Sequence, residues 1–218
     1  HGSTYFVGIG ADEALALWRS EDFPGGATRV ARLDRPNFDG DSEMVWLERF
    51  GDLLVFPAHG DHGWEIYTSD GTRSGTHELA DLCPGECDGK PSLPLVLGDR
   101  IFFEAMDSES NRQLWTAALP DMEPRQLTFP PARAGDSPVF AAPEVARLST
   151  GWLFAATDAT HGFELWRSGG TPETTEMVID LLNDRPGLLL AGVESDGGEL
   201  FFSASAEYRE LYEVIATD

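Results

Sequence analysis

The feature that most constrains this chain is a repeat. "HGWEIYTSDGTRSGT" at 62–76 has a close echo in "HGFELWRSGGTPETT" at 161–175. Looser copies read "ALALWRSED" (14–22), "RQLWTAAL" (112–119) and "RELYEVIA" (209–216). Aligned, they place Trp18, Tyr67, Trp115, Trp166 and Tyr212 at one position, at intervals of 49, 48, 51 and 46 residues. An apolar run precedes each anchor, and Phe6, Phe56, Phe103, Phe154 and Phe202 align within those runs. Shared spacing with shared flanks marks a repeat architecture, and it must be settled before any other feature is interpreted.

Each repeat holds short runs rich in β-branched, aromatic or leucine residues, bounded by Gly, Asp or Pro. These are strand signals. No segment sustains a 3.6-residue period over helical length. "ADEALALW" alone suggests a helix, but it aligns with strands elsewhere. A lone four-stranded meander cannot bury both faces, whereas several packed face to face around an axis can. The expectation is therefore all-β: a β-propeller of four-stranded antiparallel blades, five in number. The repeats run about 4–34, 43–90, 93–130, 143–182 and 187–218. The first lacks its innermost strand and the last its outermost, giving 18 strands within a single domain, 4–218. The open blade edges would accept a partner strand or self-assemble. The periodic aromatics Trp18, Tyr67, Trp115, Trp166 and Tyr212 are expected as structural pegs between blades. Residues 1–3, "HGS", read as a tag and linker remnant.

Charge excludes one class of partner. The chain carries 38 acids against 15 cations, a formal net charge of −23, with Lys90 the single lysine. Such a surface repels phosphate backbones, so no nucleic-acid partner is expected. No apolar stretch is long enough for a membrane helix, so no membrane insertion is expected. The two cysteines, Cys83 and Cys87 in "LCPGECDG", flank a Pro-Gly turn. Such a turn brings two Cα atoms within disulfide range, and a zinc site would need four ligands. A small-loop disulfide and an oxidising compartment follow, with two free buried thiols as the alternative.

With these residues in hand, the chain resembles the ELWxxDGT-repeat family of bacterial proteins. The likeness rests on "HGFELWRSGGTPETT" and "HGWEIYTSDGTRSGT", followed by "EMVIDL" and "THELADL", with "DLCPGEC" resembling the loop between repeats. The motif is sharp in two repeats and degenerate in the other three. The resemblance implies a secreted, periplasmic or cell-surface protein with a propeller-like fold. It implies no catalytic activity, and no catalytic residue is carried over.

Candidate sites divide into turn and funnel. Asp70 opens an Asp-Gly turn, a hairpin signal. As a calcium site it would need six to eight oxygens, and its acid does not recur: Gly169 and Ala117 hold the equivalent positions. Calcium at Asp70 and a plain turn are the two readings. His62 and His161 share a slot before the anchor. Glu65, Glu164 and Glu210 align, with Gln113 in the third repeat. A polar residue fixed there suggests a repeated hydrogen bond, or else a repeated ligand pocket. Propellers most often bind at the central funnel, whose strands would carry the ligand-binding candidates Glu48, Arg49, Arg147 and Glu194. No Ser-His-Asp elbow, phosphate loop or HExxH motif is present. The expected role is a non-enzymatic binding or adhesion module for a protein or glycan at a cell surface. The alternatives are a glycosidase with carboxylates in the funnel and a structural spacer in a surface assembly.

Overall fold

Runs of two to nine residues between Gly, Pro and Asp turns produce strands. The computed structural model describes residues 3–21, 26–33, 46–85, 87–109, 111–128, 146–148, 151–157, 161, 163–180, 188–196, 199–206 and 209–217. His1 and Gly2 of the expected tag lie outside them. Among the described residues there are five sheets, each a meander in chain order. The first holds β1 (Thr4–Ile9), β2 (Leu15–Ser20) and β3 (Ala27–Arg32). The second holds β4 (Glu48–Phe50), β5 (Leu53–Gly60), β6 (Gly63–Ser69) and β7 (His77–Ala80). The third holds β8 (Ser92–Leu97), β9 (Arg100–Met106), β10 (Arg112–Ala118) and β11 (Arg125–Gln126). The fourth holds β12 (Ala146–Leu148), β13 (Gly151–Thr157), β14 (Phe163–Ser168) and β15 (Thr175–Ile179). The fifth holds β16 (Leu188–Asp196), β17 (Glu199–Ala206) and β18 (Arg209–Thr217). The helix-like "ADEALALW" segment feeds β2. Its helical look came from Ala and Leu, whose propensity yields to pairing on both sides.

The chain divides into two compact units, one of 1–110 with 117–124, the other of 111–116 with 125–218. Within the first unit, Leu17 and Val30 from the first sheet, with Leu33 just after it, share one apolar cluster with Phe56 and Ala58 from the second. β5 and β6 are largely buried on both faces, since Phe56, Ala58, Ile66 and Ser69 are all at most 1% exposed. In the second unit Leu153, Phe154 and Leu165 are buried in the same positions of the fourth sheet.

The repeat alignment survives as register. Phe6 lies opposite Trp18, Phe56 opposite Tyr67 and Phe154 opposite Trp166. The fifth sheet departs from this: Phe202 lies opposite Ile215, not Tyr212, because the β17–β18 pairing shifts between Ala204 and Ala206. Burial also redistributes the peg role. The anchors Trp18, Tyr67, Trp115 and Trp166 are only half-buried, while the residues before them, Leu17, Ile66, Leu114 and Leu165, are buried. A second regularity was invisible in the sequence. In the first, second and fourth sheets the outer strand carries one extra residue beside the anchor: Val30, Leu79 and Val178 fall between paired neighbours. Each is a β-bulge.

Candidate functional site

The four funnel candidates occupy first strands of their sheets. Glu48 and Arg49 are consecutive on β4, so they face opposite sides of the sheet. Arg49 is exposed, and its Nε donates to the Gly51 carbonyl at 3.0 Å. Arg147 lies on β12 opposite Trp152, and Glu194 on β16 opposite Phe201. Glu48 and Arg49 belong to one compact unit, Arg147 and Glu194 to the other.

The motif turn is built by its own hydroxyls. In 69–76, Ser69 Oγ and Thr76 Oγ1 lie 2.7 Å apart, and Gly71 N–H donates to Ser69 Oγ at 3.0 Å. Thr76 Oγ1 donates back to the Thr72 carbonyl at 2.6 Å. The turn at 168–175 repeats this bond for bond. Ser168 Oγ meets Thr175 Oγ1 at 2.7 Å, Gly170 N–H donates to Ser168 Oγ at 2.9 Å, and Thr175 Oγ1 donates to Thr171 O at 2.7 Å. Gly71 and Gly170 sit at φ of 84° and 91°, where an L side chain is strained. Asp70 caps the first turn, its Oδ1 accepting from Thr72 N–H at 2.9 Å and Thr72 Oγ1 at 2.7 Å. Those bonds hold the Asp70 carboxyl below its ordinary pKa. In the second turn Gly169 replaces Asp70, and Thr174 Oγ1 accepts from Thr171 N–H at 3.2 Å instead. Both bonds go to Asp70 Oδ1 and serve the turn geometry. Among the described residues no three His, Cys, Asp or Glu side chains group as a metal site.

In the second sheet the recurring polar position is a clasp. Glu65 is fully buried on β6. Its Oε2 accepts from Leu82 N–H at 2.9 Å and its Oε1 from Gly89 N–H at 2.7 Å. These donors bracket the Cys83–Cys87 disulfide, whose Cα atoms stand 5.6 Å apart. One side chain thus holds both ends of the disulfide loop. The loop is further pinned to the β5–β6 hairpin by Trp64 N–H on Asp88 Oδ1 and Lys90 N–H on Trp64 O, both at 3.0 Å. Burial pushes the Glu65 pKa up to about 7, against the two N–H donors that favour its charge. Gln113, also fully buried, takes the Thr128 hydroxyl at 2.8 Å. The aligned glutamates reveal the polarity but not the partner, because any non-proline residue supplies a backbone N–H.

His62 is exposed on the β5–β6 turn, its Nδ1 2.8 Å from Glu78 Oε1. Glu78 raises the His62 pKa, first through that hydrogen bond and then through its charge. The other Glu78 oxygen accepts from Tyr67 Oη at 3.4 Å. Burial, aided by Glu78, pushes the Tyr67 hydroxyl up to about 12.

Open cavities border both motif turns. One of about 370 Å³ is lined by Leu53, Leu54, Asp70 and Gly71, together with Tyr5 and Arg49. Another of about 300 Å³ is lined by Gly151, Trp152, Ser168, Gly169 and Thr174. Leu54 pairs with Ser69 as Trp152 pairs with Ser168, so the two cavities occupy equivalent places in their repeats.

The chain is similar over 97% of its length to TolB from Acinetobacter baumannii. That likeness has a TM-score of 0.42 and 12% identity, and this chain spans 53% of the TolB chain. It matches the nidogen/laminin complex with a TM-score of 0.40 at 12% identity, covering 93% of this chain and 67% of that one. A structure from an analysis of two prolyl endopeptidases matches with a TM-score of 0.46 at 10% identity, covering 94% of this chain and 31% of that one. No family model and no curated protein matches the chain.

Proposed function

We propose that the chain is a non-enzymatic extracellular binding module, a five-bladed propeller that presents repeated turn-side cavities to a protein or glycan. The observation that carries this reading is the equivalence of the cavities at 69–76 and 168–175. Each lies beside a turn held by the same serine–threonine pair and the same glycine N–H. A rigid turn lowers the ordering cost of binding. Two equivalent weak sites on one chain raise avidity without new contacts. The Cys83–Cys87 disulfide supports an oxidising compartment, secreted, periplasmic or surface-borne. Among the described residues no helix is long and apolar enough to cross a membrane.

The test is a glycan array followed by calorimetry on each hit. The expected result is a stoichiometry above one that Leu54→Ala and Trp152→Ala each reduce. No retained glycan at high loading, and no bound protein in a matched surface-protein array, would remove the binding reading. Turnover of a retained glycan, abolished by Glu48→Gln or Glu194→Gln, would replace it with a hydrolase.

A further inference from the structure

We propose that a groove between β3 and the 69–76 turn binds an anionic oligosaccharide, seating its carboxylate or sulfate groups on Arg29, Arg32 and Arg73. The proposal deepens the binding-module reading and rests on it. Two adjoining cavities, of about 390 and 560 Å³, share Arg29, Val30 and Arg73 in their walls. Among the described residues the smaller is lined by those two arginines and Arg32 with no acid, while the larger adds Arg19 and its ion-pair partner Glu21. That sign is the reverse of the chain's, where acids outnumber cations 38 to 15.

The bulge at Val30 sets the arrangement. Arg29 and Arg32 are three residues apart, which in a regular strand puts them on opposite faces. Here Arg29 pairs with Trp18 and Arg32 with Ala16, and those two partners share a face of β2. The extra residue brings both arginines to one side. Arg73 comes from the motif turn, whose backbone is fixed by Thr72 and Thr76. Arg73 is exposed and has no ion-pair partner among the described residues. Arg29 spends one N–H on Asp12 at 2.7 Å, a surface pair that a bidentate oxyanion can displace.

The lining also chooses between ligand classes. Thr28, Thr72 and Thr76 line the groove, and among the described residues no aromatic side chain does. A peptide ligand gains most from an apolar or aromatic anchor pocket. Arginine forks among threonines suit a polyhydroxylated anion, whose hydroxyls can donate to the threonine oxygens.

The experiment is calorimetry at physiological salt with four hexamers: galacturonate, a sulfated saccharide, a neutral saccharide and hexaglutamate. Wild type is compared with Arg73→Glu, Arg73→Gln and Arg125→Glu, the last carrying the same charge change outside the groove. At least one anionic saccharide is expected to bind, the stronger arm naming carboxylate or sulfate. Arg73→Glu is expected to weaken it by roughly tenfold or more, as for loss of a charge-assisted bond, with Arg73→Gln intermediate and Arg125→Glu near wild type. Backbone amide shifts in the wild type should then move at Val30 and Thr76. No binding of either anionic saccharide at millimolar concentration would overturn the proposal, as would tighter binding of hexaglutamate or equal losses at Arg73 and Arg125. Neutral saccharide binding that ignores all three variants would overturn the groove but leave the binding module standing.

Discussion

Replacing Glu65 with Gln should change how stability depends on pH. In the folded chain burial lifts the Glu65 pKa from an ordinary 4.5 to about 7. Between those values the native state holds a proton that the unfolded chain has released. Stability from this group is therefore complete below pH 4.5 and is lost as pH rises through 7. Two and a half units correspond to about 3 kcal/mol. Gln cannot titrate. Urea unfolding of both proteins at pH 5 and pH 8.5 isolates the effect, because the other acids cancel in the difference. The stability of Glu65→Gln relative to wild type should rise by about 3 kcal/mol from pH 5 to pH 8.5. The amide has its own defect, since its NH2 must face either Leu82 N–H or Gly89 N–H, a penalty of about 1–3 kcal/mol at every pH. A constant gap would mean that the carboxyl does not titrate in this range. A gap that widens with pH would mean that the two N–H donors outweigh burial and hold Glu65 ionised. Either result refutes the reasoning.

Three further outcomes are expected. Cys83→Ser/Cys87→Ser should cost about 2 kcal/mol in urea unfolding, the loop-closure entropy of so short a ring, with a larger loss if the Glu65 clasp loosens with it. Glu78→Gln should return the His62 pKa, followed by NMR titration of its ring, toward the ordinary 6.5, since Glu78 supplies the two leading causes of its rise. Gly60→Ala should cost about 1–3 kcal/mol by overpacking, because its Cβ would collide with the Tyr67 hydroxyl and drive it off Glu78; a near-neutral melting temperature would mean that the tyrosine swings free.

The sequence carried the architecture further than the site. The aromatic period predicted where strands lie, and the Phe56–Tyr67 pair appears in register because spacing within a hairpin is local information. Tyr212 broke that pattern because a shift in pairing depends on the partner strand, which a one-dimensional alignment ignores. Asp70 was legible as a turn former or a calcium ligand, and its turn bond is matched in the other turn by Thr174, from a different loop position. Glu65 was visible as a recurrent polar residue, but its partners lie 17 and 24 residues away and are main-chain groups. The groove arginines left no signal, because it takes the extra residue at Val30 to bring Arg29 and Arg32 to the same side.

The bulges also sort the sheet edges by how readily another chain could zip onto them. β3, β7 and β15 each carry the irregularity beside the anchor, and β8, β16 and β18 have register shifts of their own. A bent edge offers its N–H and C=O groups out of step with an incoming strand. Among the described residues, β1 is the edge strand longer than three residues that keeps unbroken register, six pairs with β2, and it exposes Phe6 and Ile9. Among the described edges, strand-for-strand association is thereby steered to this flat margin, which a lone proline at Val7 would close.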